Sequence, residues 1–351
     1  MSLAIGLAMA LGYAADALLG DPRRWHPVAG FGTVAARLEP LSYADRRTAG
    51  VAHVGLLVGS AIGLGVGLQR LGRRHPMVMT TVAAVATWTV LGGHSLRREA
   101  ATIADQLVAG DLTGARVQVR NLVGRETTEL GPEEIARATV ESVAENSSDA
   151  VVAPLLWGAV AGIPGLLGYR AINTLDAMVG HHSPRYERFG WAAARLDDLA
   201  NWVPARVAGL AAAVAAPLVG GSPAVALRTV RRDAGQHPSP NAGVVEAAFA
   251  GALGVRLGGR NVYQGRVEER GVLGDGRAIA VADIARVNRL ARMVSVIALA
   301  LAVLLRLNAP APHPAASQPS ALAGSGSRQA HPRSAARRRS GAPARERWRR
   351  R

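Results

Sequence analysis

An all-α, multi-pass integral membrane protein with broken or re-entrant helices and a cytoplasmic helical insertion is the class expected from this sequence. Three features lead there. Hydrophobic residues make up 49% of the 351 residues against 19% charged, a lean charge content for a soluble chain. Apolar runs near residues 3–19, 51–68, 77–93, 151–167, 207–219 and 293–307 approach the length that crosses a hydrocarbon core of about 30 Å. Between two of them lies a polar band, residues 171–206, that gathers acids, histidines, arginines and amides where its flanks hold almost nothing ionisable. The plainer alternative, buried helices of a soluble protein with a solvated, salt-bridged loop, leaves that band without a purpose.

Taken in order, the first run lacks a basic leader and a cleavage site, so it reads as a membrane segment retained in the protein. Its Ala and Gly content suits close helix packing in lipid. In residues 20–32, GDPRRWHPVAGFG, Pro22 and Pro27 predict a compact irregular segment crowding Asp21, Arg23, Arg24, Trp25 and His26. A basic helical piece over 37–47 follows. The runs 51–68 and 77–93 then form a helical hairpin through QRLGRRHP, which returns the chain to its starting side.

Residues 95–150 form a polar helical insertion. A first helix ends at Gly110, a second spans 112–123, and a third starts at Pro132, where Glu133 and Glu134 suit the helix dipole. On that third helix Glu134, Glu141 and Glu145 share a narrow arc, because seven and eleven residues are nearly whole numbers of turns. A solvated acidic face would explain Glu134. Glu141 and Glu145, followed by Asn146, Ser147, Ser148 and Asp149, bring together oxygens of the kind that suit Mg²⁺. Residues 151–169 hold Pro154, Gly158, Gly162, Pro164 and Gly165, so a re-entrant element is expected there, in 207–219, or in both.

In RRDAGQHPSPNAGVVEAAFAGALGVRLGG, residues 231–259, Pro238 and Pro240 predict a rigid bend holding His237 and Ser239, with Asn241 placed to cap the next helix. Glu246 sits on that helix among apolar neighbours and must find a partner. A polar, glycine-punctuated stretch at 261–280 leads to a last membrane helix, 283–307. Residues 1–308 thus read as a membrane-embedded unit and 309–351 as a disordered tail.

The formal net charge of +16 sits mostly in that tail, where ten arginines and one acid follow position 327 in a Pro, Ala, Ser and Gly background. No nucleic-acid recognition pattern accompanies it, so no specific nucleic acid is expected. The chain has neither cysteine nor lysine, which excludes thiol nucleophiles, lysine Schiff bases and a Walker-type lysine. Phosphate would have to be held by arginine, backbone or metal.

The segments GDPRRWHPV, ESVAENSSDAVVAPLLW, NTLDAMVGHHSPRYERFGWAAARLDDLANWVPAR and DAGQHPSPNAGVVEAAFAGALGVRLGG, in this order, resemble the CobD/CbiB family of cobalamin-biosynthesis membrane proteins, the adenosylcobinamide-phosphate synthases. The resemblance covers about residues 4–307. It implies a multi-pass enzyme of the cytoplasmic membrane, its motif loops and tail facing the cytoplasm, that joins adenosylcobyric acid to aminopropanol or its phosphate through an amide. ATP and Mg²⁺ are implied alongside the corrinoid substrate, and membrane lipids and other late cobalamin-pathway membrane enzymes are the implied partners.

That chemistry needs phosphate ligands, metal oxygens and a base. Arg23, Arg24, Arg185, Arg188 and Arg195 are the candidate phosphate forks, with Asn173, Asn201, Asn241 and Glu246 as further substrate contacts. Glu141, Glu145, Asp149, Asp197 and Asp198 are the candidate metal ligands. His26, His181, His182, His237 and Asp176 are the candidate acid–base groups. Two rivals remain from other classes. A transporter would show paired repeats in its two halves, which the sequence lacks. A membrane phosphotransferase would use Asp-rich metal motifs, which Asp197-Asp198 alone resembles.

Overall fold

The computed structural model of the chain describes residues 2–22, 26–181, 183–263 and 266–308. The expectations placed on Arg23, Arg24, His182 and the tail fall outside these residues. The predicted all-α class holds, and four helical stretches are long and apolar enough to cross a membrane: Arg47–Gly72, Pro76–Val108, Trp191–Val219 and Asp283–Leu307.

The chain begins with α1 (Ser2–Leu19), which ends at Gly20, and α2 (Pro27–Ser42). The irregular segment expected through residue 32 is therefore shorter, because Pro27 occupies the first helical turn, where a missing N–H costs nothing, and His26 caps it by accepting from the Val28 amide at 3.2 Å. Helices α3 (Arg47–Gly72) and α4 (Pro76–Val90) form the expected hairpin. α1 packs along α4 so closely that a Cβ on Gly12 would stand 2.5 Å from Thr87 Cβ. Such contact is how helices gain packing energy where lipid supplies no hydrophobic drive.

The insertion comprises α5 (Gly93–Val108), α6 (Leu112–Gln118) and α7 (Pro132–Ser147). A π-turn, Ser148–Val152, then leads into α8 (Ala153–Ala161). Gly162, at φ 70° and ψ −144°, reverses the chain into α9 (Ile163–Leu175), and Gln69 Oε1 accepts the Ile163 amide at 3.0 Å to satisfy the new helix start. α8 continues α7 and the π-turn without a break, so its nine residues are the last part of one longer helical run. The Gly162 turn stands beside Gln69 near the end of α3, and Arg306 donates to Ala159 O at 3.2 Å from the last turn of the final helix, so the hairpin expected to re-enter at 151–169 instead reaches the far end of the bundle before it returns.

The other segment expected to re-enter, 207–219, belongs instead to one continuous helix, α10 (Trp191–Ala215), extended by a 3₁₀ turn to Val219. Pro204 does not break it, because the carbonyl that Pro204 leaves free, Ala200 O, accepts the Trp157 indole N–H at 3.0 Å. α10 meets the first turn of α3 at one end, where Arg47 lies 5.1 Å over the Trp191 ring. Its other end meets the first turns of α13 (Asp283–Leu307), where Arg286 donates to Val219 O at 2.7 Å. Both of those turns lie at the same end of the bundle, so α10 lies across that end. Leu199, Val203, Leu210, Val214 and Leu218 are exposed along it, an outward apolar stripe suited to lipid.

α11 (Pro223–Asp233) and α12 (Ala242–Leu253) pack on α10. Asn241 does not cap α12 with its side chain. Ser239 Oγ accepts the amides of Asn241 and Ala242 at 3.3 and 3.1 Å, while the Asn241 amide group reaches back to Asp198 O at 2.7 Å. Within the polar stretch after α12 the chain forms an antiparallel hairpin, β1 (Leu257–Tyr263) with β2 (Arg266–Leu273), the one sheet among the described residues.

Candidate active site

Two π-turns position the central carboxylates. A π-turn holds one residue more than an α-turn and so rotates the side chains beyond it, a device frequent at functional sites. The turn at Ser148–Val152 carries Asp149, and a second, Asp176–Gly180, extends α9 and carries Asp176. Glu145 approaches from the last turn of α7, and Asp197 from α10. Four acids from four separate elements thus face one another at the end of the bundle.

Their mutual repulsion is visible in their proton affinities. Burial pushes the Asp149 carboxyl well above the usual range, and Asp197, Glu145 and Asp176 push it further. Burial lifts Asp176 to about 7, with Asp197, Asp198 and Glu145 adding to it. Burial also raises Glu145, against the pull of Arg270. The scaffold beneath is a short relay. The Tyr169 hydroxyl lies 2.8 Å from Asn201 Oδ1 and 3.2 Å from the Asp149 carbonyl, and Asn201 Nδ2 donates to Asp197 Oδ2 at 2.9 Å. Asp197 Oδ1 is buried and has no hydrogen-bond partner among the described residues.

Arginines stand around this centre. Arg170, on α9, acts on both Asp149 and Asp21, and its Nε is buried without a hydrogen-bond partner among the described residues. A neighbouring group surrounds Glu141, which is 6% exposed. Arg125 bonds one of its oxygens, Arg137 stands 3.5 Å from the other, and the Gly258 amide donates to it at 2.8 Å. Glu246, 2% exposed, finds the partner its burial requires in His237, whose Nε2 is 3.6 Å away. Burial, Glu141 and Glu145 all raise the Glu246 carboxyl.

Several sequence candidates stand elsewhere. Arg185 stacks 4.2 Å from the Tyr43 ring centre and bonds Glu39 at 2.9 Å, tying the 181–190 loop to α2. Arg188 pairs with Asp45 at 3.7 Å, and Arg195 with Asp198 at 3.6 Å, all at the surface. Asp198 therefore faces outward from the cluster that Asp197 joins, and Glu141 is paired with Arg125 and Arg137. His181 is exposed, its ring edge on Tyr186 at 5.0 Å. His26 and His237 each accept a backbone amide at Nδ1, from Val28 at 3.2 Å and Ser239 at 3.0 Å. When neutral, His26 thus presents a protonated Nε2, a donor edge and not a base, whereas His237 Nδ1 also lies 3.3 Å from the Ser239 carbonyl and its Nε2 faces both Glu246 at 3.6 Å and Arg270 at 3.5 Å. Asn173 accepts from Arg170 at 3.4 Å, inside the centre. Asn241 Oδ1 accepts from Arg206 at 2.8 Å, outside it.

The sequence reading missed Arg125, Arg170 and Arg270. Arg170 carried a signal, since a lone arginine on a Pro/Gly-broken apolar helix is seldom structural. Arg125 and Arg270 lie in polar stretches where nothing distinguished them from their neighbours.

Among the described residues no three His, Asp or Glu side chains stand close enough together to hold a metal ion unaided. Mg²⁺ in phosphate chemistry takes one or two carboxylates and completes its octahedron with phosphate oxygens and water. The unpaired Asp197 Oδ1 beside Asp149 fits that role.

Comparison with known proteins adds the following. The family model described as "CobD/Cbib protein" matches residues 9–291. The cobalamin biosynthesis protein CobD of Mycobacterium tuberculosis is 54% identical over 285 residues, 81% of this chain and 90% of that protein. The proteins of the same name from Rhodobacter capsulatus and Geobacter metallireducens are each 45% identical, covering 83% of their own lengths and 76% and 74% of this chain. No solved structure matches the chain.

Proposed function

Since this chain belongs to the CobD/CbiB family and so serves cobalamin biosynthesis from a membrane-embedded fold, we propose that it is the ligase that closes an amide between adenosylcobyric acid and aminopropanol phosphate at the expense of ATP. The observation that carries this reading is the convergence of Glu145, Asp149, Asp176 and Asp197 with Arg170 and Arg270 at one end of the bundle. A carboxylate does not acylate an amine unaided at neutral pH. Transfer of the γ-phosphoryl group to the propionate gives an acyl phosphate and ADP, and amine attack then forms the amide and releases phosphate.

Each demand has a residue. Arg170 and Arg270 bind phosphate oxygens through forked donors. Asp149 and Asp197 would hold Mg²⁺, which supplies charge neutralisation across the phosphates when bound. Asp176, lifted to about 7, is matched to accept the proton the amine must lose near neutral pH. The relay from Tyr169 through Asn201 fixes Asp197. Because the ends of α1, α4 and α9 and the starts of α3, α5, α10 and α13 meet at this end, one face serves the whole site, and ATP requires that face to be cytoplasmic.

Purified protein in detergent should convert adenosylcobyric acid and aminopropanol phosphate to adenosylcobinamide phosphate, detected by mass spectrometry, only when ATP and Mg²⁺ are present. Product formation that ignores ATP, or its absence in protein that retains its fold, would overturn the reading.

A further inference from the structure

α10 carries two faces of opposite chemistry. Successive residues of an α-helix are turned by about 100°, so Asp197 and Asn201 point to one side of it, while Arg195, Leu199, Val203, Arg206, Leu210 and Val214 fall within an arc of about 100° on the other. Burial follows that division. Asn201 is 1% exposed, whereas Leu199, Val203, Leu210 and Val214 are between 55% and 72% exposed.

The outward arc is an apolar stripe about 30 Å long. Left in water it would bear the full cost of hydrating that surface, and a contiguous apolar patch of this kind marks an interaction site. Two observations favour lipid as its occupant. α10 lies across the site end of the bundle, from the first turn of α3 to the first turns of α13, and so runs along the membrane surface. The stripe also continues the outer surface of the α8–α9 hairpin. Val160 on α8 is 70% exposed, and the partly exposed Trp157, one turn earlier, donates to the Ala200 carbonyl beside Leu199.

The polar groups of the stripe fit a headgroup layer. Arg206 is folded 4.5 Å over the Trp202 ring, which is 55% exposed, and Arg47 lies 5.1 Å over Trp191 at the start of the helix. Tryptophan rings beside arginines are the side chains that settle at a membrane boundary. Arg195 and Arg206 stand within the arc, and both acids of α10, Asp197 and Asp198, lie outside it. Such a face complements anionic lipid, to which each arginine near the surface adds attraction.

We propose that the outward face of α10 is a seat for anionic phospholipid. The stripe lies at the boundary of headgroups and acyl chains in the leaflet on the side of the site, with Arg195 and Arg206 meeting the phosphates of anionic headgroups. Asp197 and Asn201 ride on the same helix, so the leaflet sets the position of one wall of the carboxylate centre. The proposal is independent of the ligase reading, because it concerns the face turned away from the chemistry.

The full chain in nanodiscs of phosphatidylcholine and phosphatidylglycerol tests it. Val203→Cys, Leu210→Cys and Val214→Cys each carry a nitroxide without background, since the chain has no cysteine. Their labels should relax readily with oxygen, which partitions into acyl chains, and little with a water-soluble nickel chelate. Leu56→Cys on the exposed face of α3 serves as the lipid reference, and Ser183→Cys as the water reference. Strong nickel relaxation at all three α10 positions would put the face in water and overturn the proposal. Shielding from both reagents would mean that protein, a second copy or another partner, covers the stripe, and would overturn it equally. The charge preference is read from a fluorophore at Val203→Cys, quenched by brominated phosphatidylglycerol or brominated phosphatidylcholine. The preference for the anionic lipid should fall about fivefold for each arginine removed in Arg195→Gln and Arg206→Gln, and should hold in Arg206→Lys, which keeps the charge. An unchanged preference in the double glutamine variant, or a loss in Arg206→Lys equal to that in Arg206→Gln, would overturn the anionic assignment.

Discussion

Trp157 donates its indole N–H to the Ala200 carbonyl, the acceptor that Pro204 leaves without its helical partner. This bond joins α8 to α10 one residue from Asn201, so the backbone break and the site are mechanically linked. Trp157→Phe should cost about 1–3 kcal/mol, the penalty for an orphaned buried carbonyl. In a Pro204→Ala background, where residue 204 can donate again, the same change should cost less. Denaturant unfolding in detergent of the four proteins tests this, and equal costs in both backgrounds would refute it.

The pair Arg125–Glu141 is buried at one end of the site. Removing Arg125 leaves Glu141 with Arg137 and the Gly258 amide on its other oxygen, so Arg125→Met should destabilise by roughly 1–3 kcal/mol, the loss of a buried charge-assisted bond. Arg125→Met with Glu141→Leu should recover part of that loss, as double-mutant cycles of contacting pairs do. Thermal melts of the purified variants give the comparison.

Asn201 holds Asp197 Oδ2 at 2.9 Å without facing the phosphates itself. Asn201→Ala should lower turnover roughly 10–100-fold, the range for removing a partner that orients a metal ligand. The Mg²⁺ concentration at half-maximal rate should rise with it. Asp197→Asn should abolish product formation while membrane insertion is retained. A rate loss in Asn201→Ala with unchanged Mg²⁺ dependence would assign Asn201 a purely structural role.

Asp176 has a folded proton affinity raised from 3.8 to about 7 by burial first and by Asp197, Asp198 and Glu145 after it. The folded state then binds more protons than the unfolded chain between those values. Stability should therefore fall as pH rises from about 4 to about 7 and level off above that. Turnover should move the other way, rising through about 7 as the carboxylate becomes available to take a proton. Asp176→Asn should flatten both profiles, and melting and rate curves from about pH 5 to about pH 8 measure them.

The native chain has no cysteine, so single substitutions Ser42→Cys, Ala109→Cys, Ser183→Cys and Ser239→Cys report topology without background. All four should be protected from an impermeant thiol reagent added outside intact cells, while Arg74→Cys, in the α3–α4 turn at the opposite end, should react. External labelling at Ser183→Cys or Ser239→Cys would break the single-face site.

The class and the segments that supply the site were legible in the chain alone, whereas of the six apolar runs expected four fall in helices of membrane length. Hydropathy is a local sum, and the breaks at Pro154, Gly162 and Pro164 act on their own neighbours. Glu145, Asp149, Asp176 and Asp197 stood among the candidates for the same reason, because acids beside apolar runs stand out wherever they point. Which charges meet was set only by packing. Arg185, Arg188 and Arg195 lie in the same polar band as Asp197, yet the local backbone turns them outward to Glu39, Asp45 and Asp198. Arg125, Arg170 and Arg270 come from three distant stretches to the inside. Pairing across such separations depends on how the helices pack, and so does the difference between Pro204, whose freed carbonyl found Trp157, and Pro154, whose turn opened the way to the α8–α9 hairpin.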